Sequence, residues 1–271
     1  MKTYISNKRR DEINDRKVSK FSEALWRGLF YSCFCALGIV TLSSPDTTWT
    51  SDTTEHWNNW PHHPISTLMH HYYQIELGCY LHQLYWTEIV RSDWLEMTIH
   101  HVITITLIVA SYLTNFTRIG CSILLLHDFA DIFLEFAKCT IYMSKVNSLK
   151  SLVQPITDAL FTIFAVSFAV TRLYIYPRYL VYSLVYEAPA ILGMWSGYWL
   201  FATMLVGLQC LHVFWFALIL KMVWKLVWAG NCGSDVRESD DEWEDGDDGV
   251  NSSAEAKDSK QFSKESKNKN S

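Results

Sequence analysis

"LLLHDFADIFLEFAK", residues 124–138, is apolar enough to lie within a membrane, yet it holds a histidine, two aspartates, a glutamate and a lysine. Each ionisable group near a bilayer centre costs ~2.5 to 3.5 kcal/mol on insertion scales, so such groups face protein or a water-filled cavity and mark function. At 100° per residue His127, Asp131, Glu135 and Lys138 fall within about 80° of one another, with Asp128 just beside them. The remaining faces are Leu, Ile and Phe. This pattern predicts an amphipathic membrane helix, and the fold class that accommodates it is an all-α polytopic membrane protein with an intramembrane polar cavity.

Working outward, apolar stretches recur at 22–42, 68–90, 97–114, 117–138, 151–174 and 195–227. Each approaches the ~20 residues a helix needs to cross a bilayer, so six spans are expected. Nothing near Met1 resembles a cleavable signal peptide, because twenty polar residues precede the first apolar run. The chain divides into a basic segment, 1–21, a transmembrane domain, 22–230, and a tail, 231–271, that is acidic from Asp235 to Gly249 and then rich in Lys and Ser. Such a tail buries too little apolar surface to fold. Within it, Ser239 precedes Asp240, Asp241 and Glu242, the setting of an acidophilic kinase site, and Lys267 to Ser271 reads as a K-x-K-x-x retrieval signal of the endoplasmic reticulum.

Orientation follows from Lys and Arg in the short loops. Lys2, Lys8, Arg9, Arg10, Arg16, Lys17 and Lys20 precede the first span, whereas residues 43–67 carry neither. The N-terminus is expected in the cytosol, with Arg91, Lys138, Lys145 and Lys150 on that side and six spans returning the C-terminus to it. Arg172 and Arg178, near the fifth loop, run against the rule. The seven cysteines show no C-x-x-C spacing and fall mostly in spans, which argues against a disulfide framework or zinc site; Cys232 reads as a free thiol.

A second polar stripe lies in "MTIHHVITITLIVASYLTN", residues 97–115, where His100, Thr104, Ser111 and Asn115 share an arc and His101 lies at its edge. Few residues separate this run from the next, so the two helices are expected to be antiparallel neighbours. At ~1.5 Å per residue, His100 and the pair Asp131 and Glu135 then sit at matching depths in the cytosolic half of the membrane. Glu76, alone on the second span, joins as a further candidate. His56, His62, His63, His70 and His71 read as loop or interface residues, and His82 and His212 as isolated side chains satisfied by a neighbour. Ion pairing, metal binding and imidazole chemistry are the three uses open to the cluster. Dense histidine boxes are missing, and apolar packing would hold helices at lower cost. Imidazole titrating near neutrality beside a buried carboxylate suits acid/base or nucleophilic catalysis best.

The run from His100 to Lys138, HHVIT followed by SY, N, R-x-G, HDFAD and LEFAK, resembles the Lag1 motif of ceramide synthases, within the larger group of TLC-domain membrane proteins. The likeness extends to Arg9, Arg10, Trp26 and Arg27, to IELGCY at 75–80 and to LHVFWFALIL at 211–220. It implies transfer of a fatty acyl group from acyl-CoA to the amine of a sphingoid base at the endoplasmic reticulum. On this reading His100, His101, His127, Asp128 and Asp131 are catalytic, and Glu76, Thr104, Ser111, Asn115, Arg118, Glu135 and Lys138 bind substrate. Acyl-CoA is a co-substrate, with no other cofactor and no metal expected. Partners are acyl-CoA, the sphingoid base and membrane lipids, without nucleic acid, and a homo- or heterodimer is compatible. Arg91, Lys138, Lys145 and Lys150 are candidates for attracting CoA phosphates. In the family acyl-chain length is attributed to the loop before the last span, here 186–197. Many animal members carry an extra first span and a homeobox-like domain; this chain resembles the shorter body of the family or a fragment. A lipid-sensing or translocon-associated TLC protein and a proton-coupled transporter are the alternatives, the latter without clear internal repeats.

Overall fold

In a computed structural model the described residues are 2–43, 51–85, 93–144 and 150–229. Arg91, Lys145, Cys232, Ser239 and the expected retrieval signal lie outside them. One compact unit comprises residues 1–87 and 95–233; a second, 88–94 with 234–271, contains only Asp93 and Trp94 among the described residues. Every regular element described is helical: α1 (Lys2–Leu42), α2 (Thr67–Tyr85), α3 (Trp94–Leu113), α4 (Thr117–Ser144), α5 (Lys150–Phe168), α6 (Ala188–Leu192) and α7 (Tyr198–Ala229), with a 3₁₀ turn at Thr53–His56.

Four segments are long and apolar enough to cross a membrane: Lys17–Leu42, Trp94–Leu113, Ser151–Leu192 and Tyr198–Trp224. The helices α2 and α4 form where spans two and four were expected, but their composition falls short of that standard. His70, His71, Gln74, Glu76, His82 and Gln83 lower the hydropathy of α2, and Asp128, Asp131, Glu135 and Lys138 load α4 with charge. Both are polar because they line the interior. Large apolar side chains such as Leu113, Leu152, Val166, Val206, Val213 and Trp224 stand exposed on the outer faces, as they do where lipid is the solvent. The protein is a multi-pass membrane protein built as a helical bundle.

The fifth span departs most from expectation. The drop in hydropathy after Tyr174 suggested a loop, yet the chain stays helical to Leu192, with wide π-type turns at Ala169–Val181 and Ser183–Glu187. Only Gly193 to Gly197 interrupts it before α7, with Gly193 at φ 72°. A wide turn tolerates Pro177, which has no N–H to give, and Arg172 is buried rather than at a loop.

Helix α3 ends where the sequence provides a residue able to turn left-handed. Asn115 adopts φ 59°, its N–H donates to Tyr112 O, and the Phe116 N–H donates to Ser111 O at 2.8 Å. This is a Schellman stop. The Asn115 side chain donates to Pro61 O and His63 O, fastening the α1–α2 loop to the α3–α4 turn. Backbone packing places α4 at the centre, against α1, α2, α5 and the first π segment. Helices α3 and α4, expected to pack as neighbours, instead meet mainly through side chains, because a cavity lies between them.

Candidate active site

The two histidine stripes do converge. The His100 ring stacks on that of His127 at 6.2 Å, packs against His101 at 5.6 Å, and meets the edge of Trp215 on α7 at 5.2 Å. His100 is buried and its Nδ1 has no hydrogen-bond partner. Tyr80 of α2 lies edge-on to both His100 and His101.

His127 is fixed on both sides. Its Nδ1 lies 2.7 Å from Ile123 O, which can only accept, so Nδ1 carries a proton. Its Nε2 lies 2.9 Å from Nε2 of His212, on α7. With both rings neutral, His212 Nε2–H is the donor and His127 Nε2 the acceptor. His212, read from sequence as an isolated residue, thus has a partner inside the cluster.

The carboxylates sort into three groups, so the polar stripe of α4 does not act as one patch. Asp131 Oδ2 accepts from Arg172 Nη2–H at 2.7 Å, and the same nitrogen donates to His127 O at 2.8 Å. The guanidinium lies 4.8 Å above the Phe168 ring. Asp131, grouped with the histidines as catalytic in the sequence reading, has Arg172 as its partner. Asp128 accepts from the Tyr72 hydroxyl, and Asp128 and Glu76 are both almost wholly buried. Glu135, about 12 Å along α4 from His127, pairs with Lys138 Nζ at 3.0 Å and with Arg27 Nε of α1 at 3.1 Å.

A narrow apolar cavity with about 40 Å³ of free volume runs from His127 between α3, α4 and α7. Thr104 and Ser111 contribute to its wall, and Trp57, Phe116, Leu184 and Phe201 lie toward the other end. Along α4 it covers about 16 Å, from the level of Phe116 to that of His127. Tyr73 forms part of the wall because Gly120 leaves room for its hydroxyl, which bonds Ser111 Oγ and Thr117 O.

Two expected substrate contacts lie elsewhere. Asn115 is about 22 Å along α3 from His100, and Arg118 about 14 Å along α4 from His127. Both serve the loop joining α1 to α2, Arg118 by donating to Glu55 O at 2.6 Å. Arg172, His212, Trp215 and Arg27 were not assigned to the site from sequence. The signal for Arg172 was present in FAVTRLYIY, 168–176, since an arginine at that depth demands an acceptor. Among the described residues no three His, Cys, Asp or Glu side chains converge as metal ligands.

This helical bundle, with its buried imidazole and carboxyl groups, defines a class, and comparison with known proteins identifies it. The TLC domain matches residues 20–221. The chain belongs to the TLC-domain family. It is 38% identical over 243 residues to ceramide synthase 5 of Homo sapiens, covering 88% of this chain and 59% of that protein. Ceramide synthase 4 of Mus musculus is 35% identical over 243 residues, with 89% and 59% covered. Ceramide synthase LOH1 of Arabidopsis thaliana is 35% identical over 265 residues, with 89% and 82% covered. The chain therefore spans about 59% of the length of the two mammalian relatives.

Proposed function

We propose that this protein transfers a fatty acyl group from acyl-CoA to the amine of a sphingoid base, forming ceramide or dihydroceramide. The observation that carries the proposal is an apolar cavity, a slot for an alkyl chain, that reaches the His127 ring, on which the His100 ring stacks at 6.2 Å. Similarity to ceramide synthases over most of the chain supports it.

A thioester is already activated, but the acceptor amine is protonated near neutral pH and must lose a proton before its lone pair attacks the carbonyl carbon. His100 serves in one of two ways. As nucleophile it attacks the thioester, expels CoA thiolate and holds the acyl group as an acyl-imidazole until the amine takes it. As general base it accepts the ammonium proton while the amine attacks directly. The nucleophilic route is favoured, because CoA and sphingoid base then need not share the cavity. His101 is the candidate donor to the oxyanion, and Asp131 holds Arg172 against the His127 backbone. The free volume, about 40 Å³, has room for a few waters at ~10–15 Å³ each, so entry of a fatty chain requires the surrounding side chains to move aside. We place the protein in the endoplasmic reticulum membrane, with both termini in the cytosol and Glu135, Lys138 and Arg27 at the cytosolic mouth.

The test is incubation of the purified chain in detergent with sphinganine and a panel of acyl-CoAs, with products measured by mass spectrometry. N-acyl sphinganine with release of CoA is expected; no such product from any acyl-CoA overturns the reading.

A further inference from the structure

A histidine in the middle of α7, in LQCLHVFWF, is costly unless it serves something, because an apolar residue would pack there without a polar group to satisfy. His212 is fully buried, and its ring is clamped by Tyr176 at 5.0 Å and Phe168 at 6.3 Å. Its Nδ1 has no hydrogen-bond partner. Leaving a buried acceptor unmade costs roughly 1–3 kcal/mol, so the fold keeps this ring against a local loss. The other nitrogen makes one hydrogen bond, and it goes to Nε2 of His127.

We propose that His212 is a positioning residue for acyl transfer, an inference that rests on the function proposed above. Its Nε2–H occupies the only lone pair that neutral His127 has left once Nδ1–H is committed to Ile123 O. Three consequences follow for His127: one tautomer, one ring orientation, and no lone pair to offer a substrate. His127 is therefore a wall for the reacting imidazole rather than a second base. Its ring lies 25° from parallel to that of His100 and fixes the direction in which the His100 nitrogens point. His212 touches no reacting atom in this arrangement. It acts through His127 from α7, the same helix that brings Trp215 against His100.

The experiment compares His212→Gln and His212→Leu with wild type as purified full chains. Glutamine presents an N–H near the position of Nε2, whereas leucine fills the space without a donor. His212→Leu is expected to lose about tenfold or more in kcat, with the KM for acyl-CoA within about twofold, because the lost group orients a side chain and does not bind the chain. His212→Gln is expected to recover to within about threefold of wild type. Equal activities of the Leu and Gln variants, at any level, overturn the proposal. A second readout needs no turnover: diethyl pyrocarbonate, which acylates an imidazole nitrogen with a free lone pair, should spare His127 in wild type and His212→Gln and modify it in His212→Leu, read as a mass gain on the His127 peptide. The same labelling in all three proteins contradicts the proposal. If wild type forms no N-acyl product, the function proposed above fails, and the labelling pattern still decides whether His212 commits His127.

Discussion

At the scale of the residue, the site is a set of charges and imidazoles that each need a partner, and the partners decide what a substitution does. Taken alone, Asp131→Asn looks harmless to folding because it removes an intramembrane charge. With Arg172 at 2.7 Å it is not: the guanidinium keeps its hydrogen bond but loses its counter-charge. Breaking a buried pair by deleting one partner costs about 3–5 kcal/mol, whereas replacing both by apolar groups is often neutral. Arg172→Met should therefore lower the thermal midpoint in detergent sharply, and Asp131→Leu with Arg172→Met should restore it. Recovery of turnover in that double variant would show that the pair serves stability alone. The helical wheel made His100, His127 and Asp131 legible as inward-facing groups, because direction about a helix axis follows from spacing. It could not say that Asp131 meets Arg172, or that His127 meets His212, because those contacts join segments 41 and 85 residues apart in sequence.

At the scale of the element, two local devices carry testable weight. The glycine of the R-x-G motif, Gly120, is where α4 makes room for Tyr73; a Cβ there would lie 1.7 Å from the Tyr73 hydroxyl oxygen. Gly120→Ala must displace a buried ring in the cavity wall, with an overpacking cost of about 1–3 kcal/mol. A thermal midpoint equal to wild type would contradict that packing. The second device is the loop around the 3₁₀ turn, where Trp57 donates to Ser183 Oγ and His56 Nδ1–H donates to Thr53 O. Burial pushes the His56 imidazole down to about 4. The native state holds the ring neutral, while an unfolded chain protonates it below ~6.5. Its contribution is therefore complete above about pH 6.5 and is lost as pH falls toward 4, on the order of 3 kcal/mol in all. His56→Gln should flatten the fall of the thermal midpoint across that window, and parallel pH curves for the two proteins would refute the assignment. Helices α1 to α4 and α7 were legible from apolar runs. The extension of α5 to Leu192 was not, because a paired Arg172 and a π-type turn hide membrane helix under the look of a polar loop.

At the scale of the whole molecule, the proposed orientation puts the cluster within reach of a water-soluble thioester from one side and a membrane-borne amine from the bilayer. It rests on the excess of Lys and Arg before the first span over residues 43–67. Protease added to intact microsomes should remove the acidic tail after Asn231, and a protected tail would reverse the orientation. The Asn115-Phe116-Thr117 sequon should stay unglycosylated on either side, since the Asn115 amide is held by Pro61 O and His63 O at a tight turn. The central claim is that the imidazole of His100 performs the transfer, and His100→Ala tests it most directly. With elution profile and thermal midpoint matched to wild type, turnover of sphinganine and acyl-CoA to N-acyl sphinganine should fall at least about a hundredfold, the lower end of what a positioned acid/base or nucleophilic group contributes. Normal turnover by His100→Ala would contradict the account.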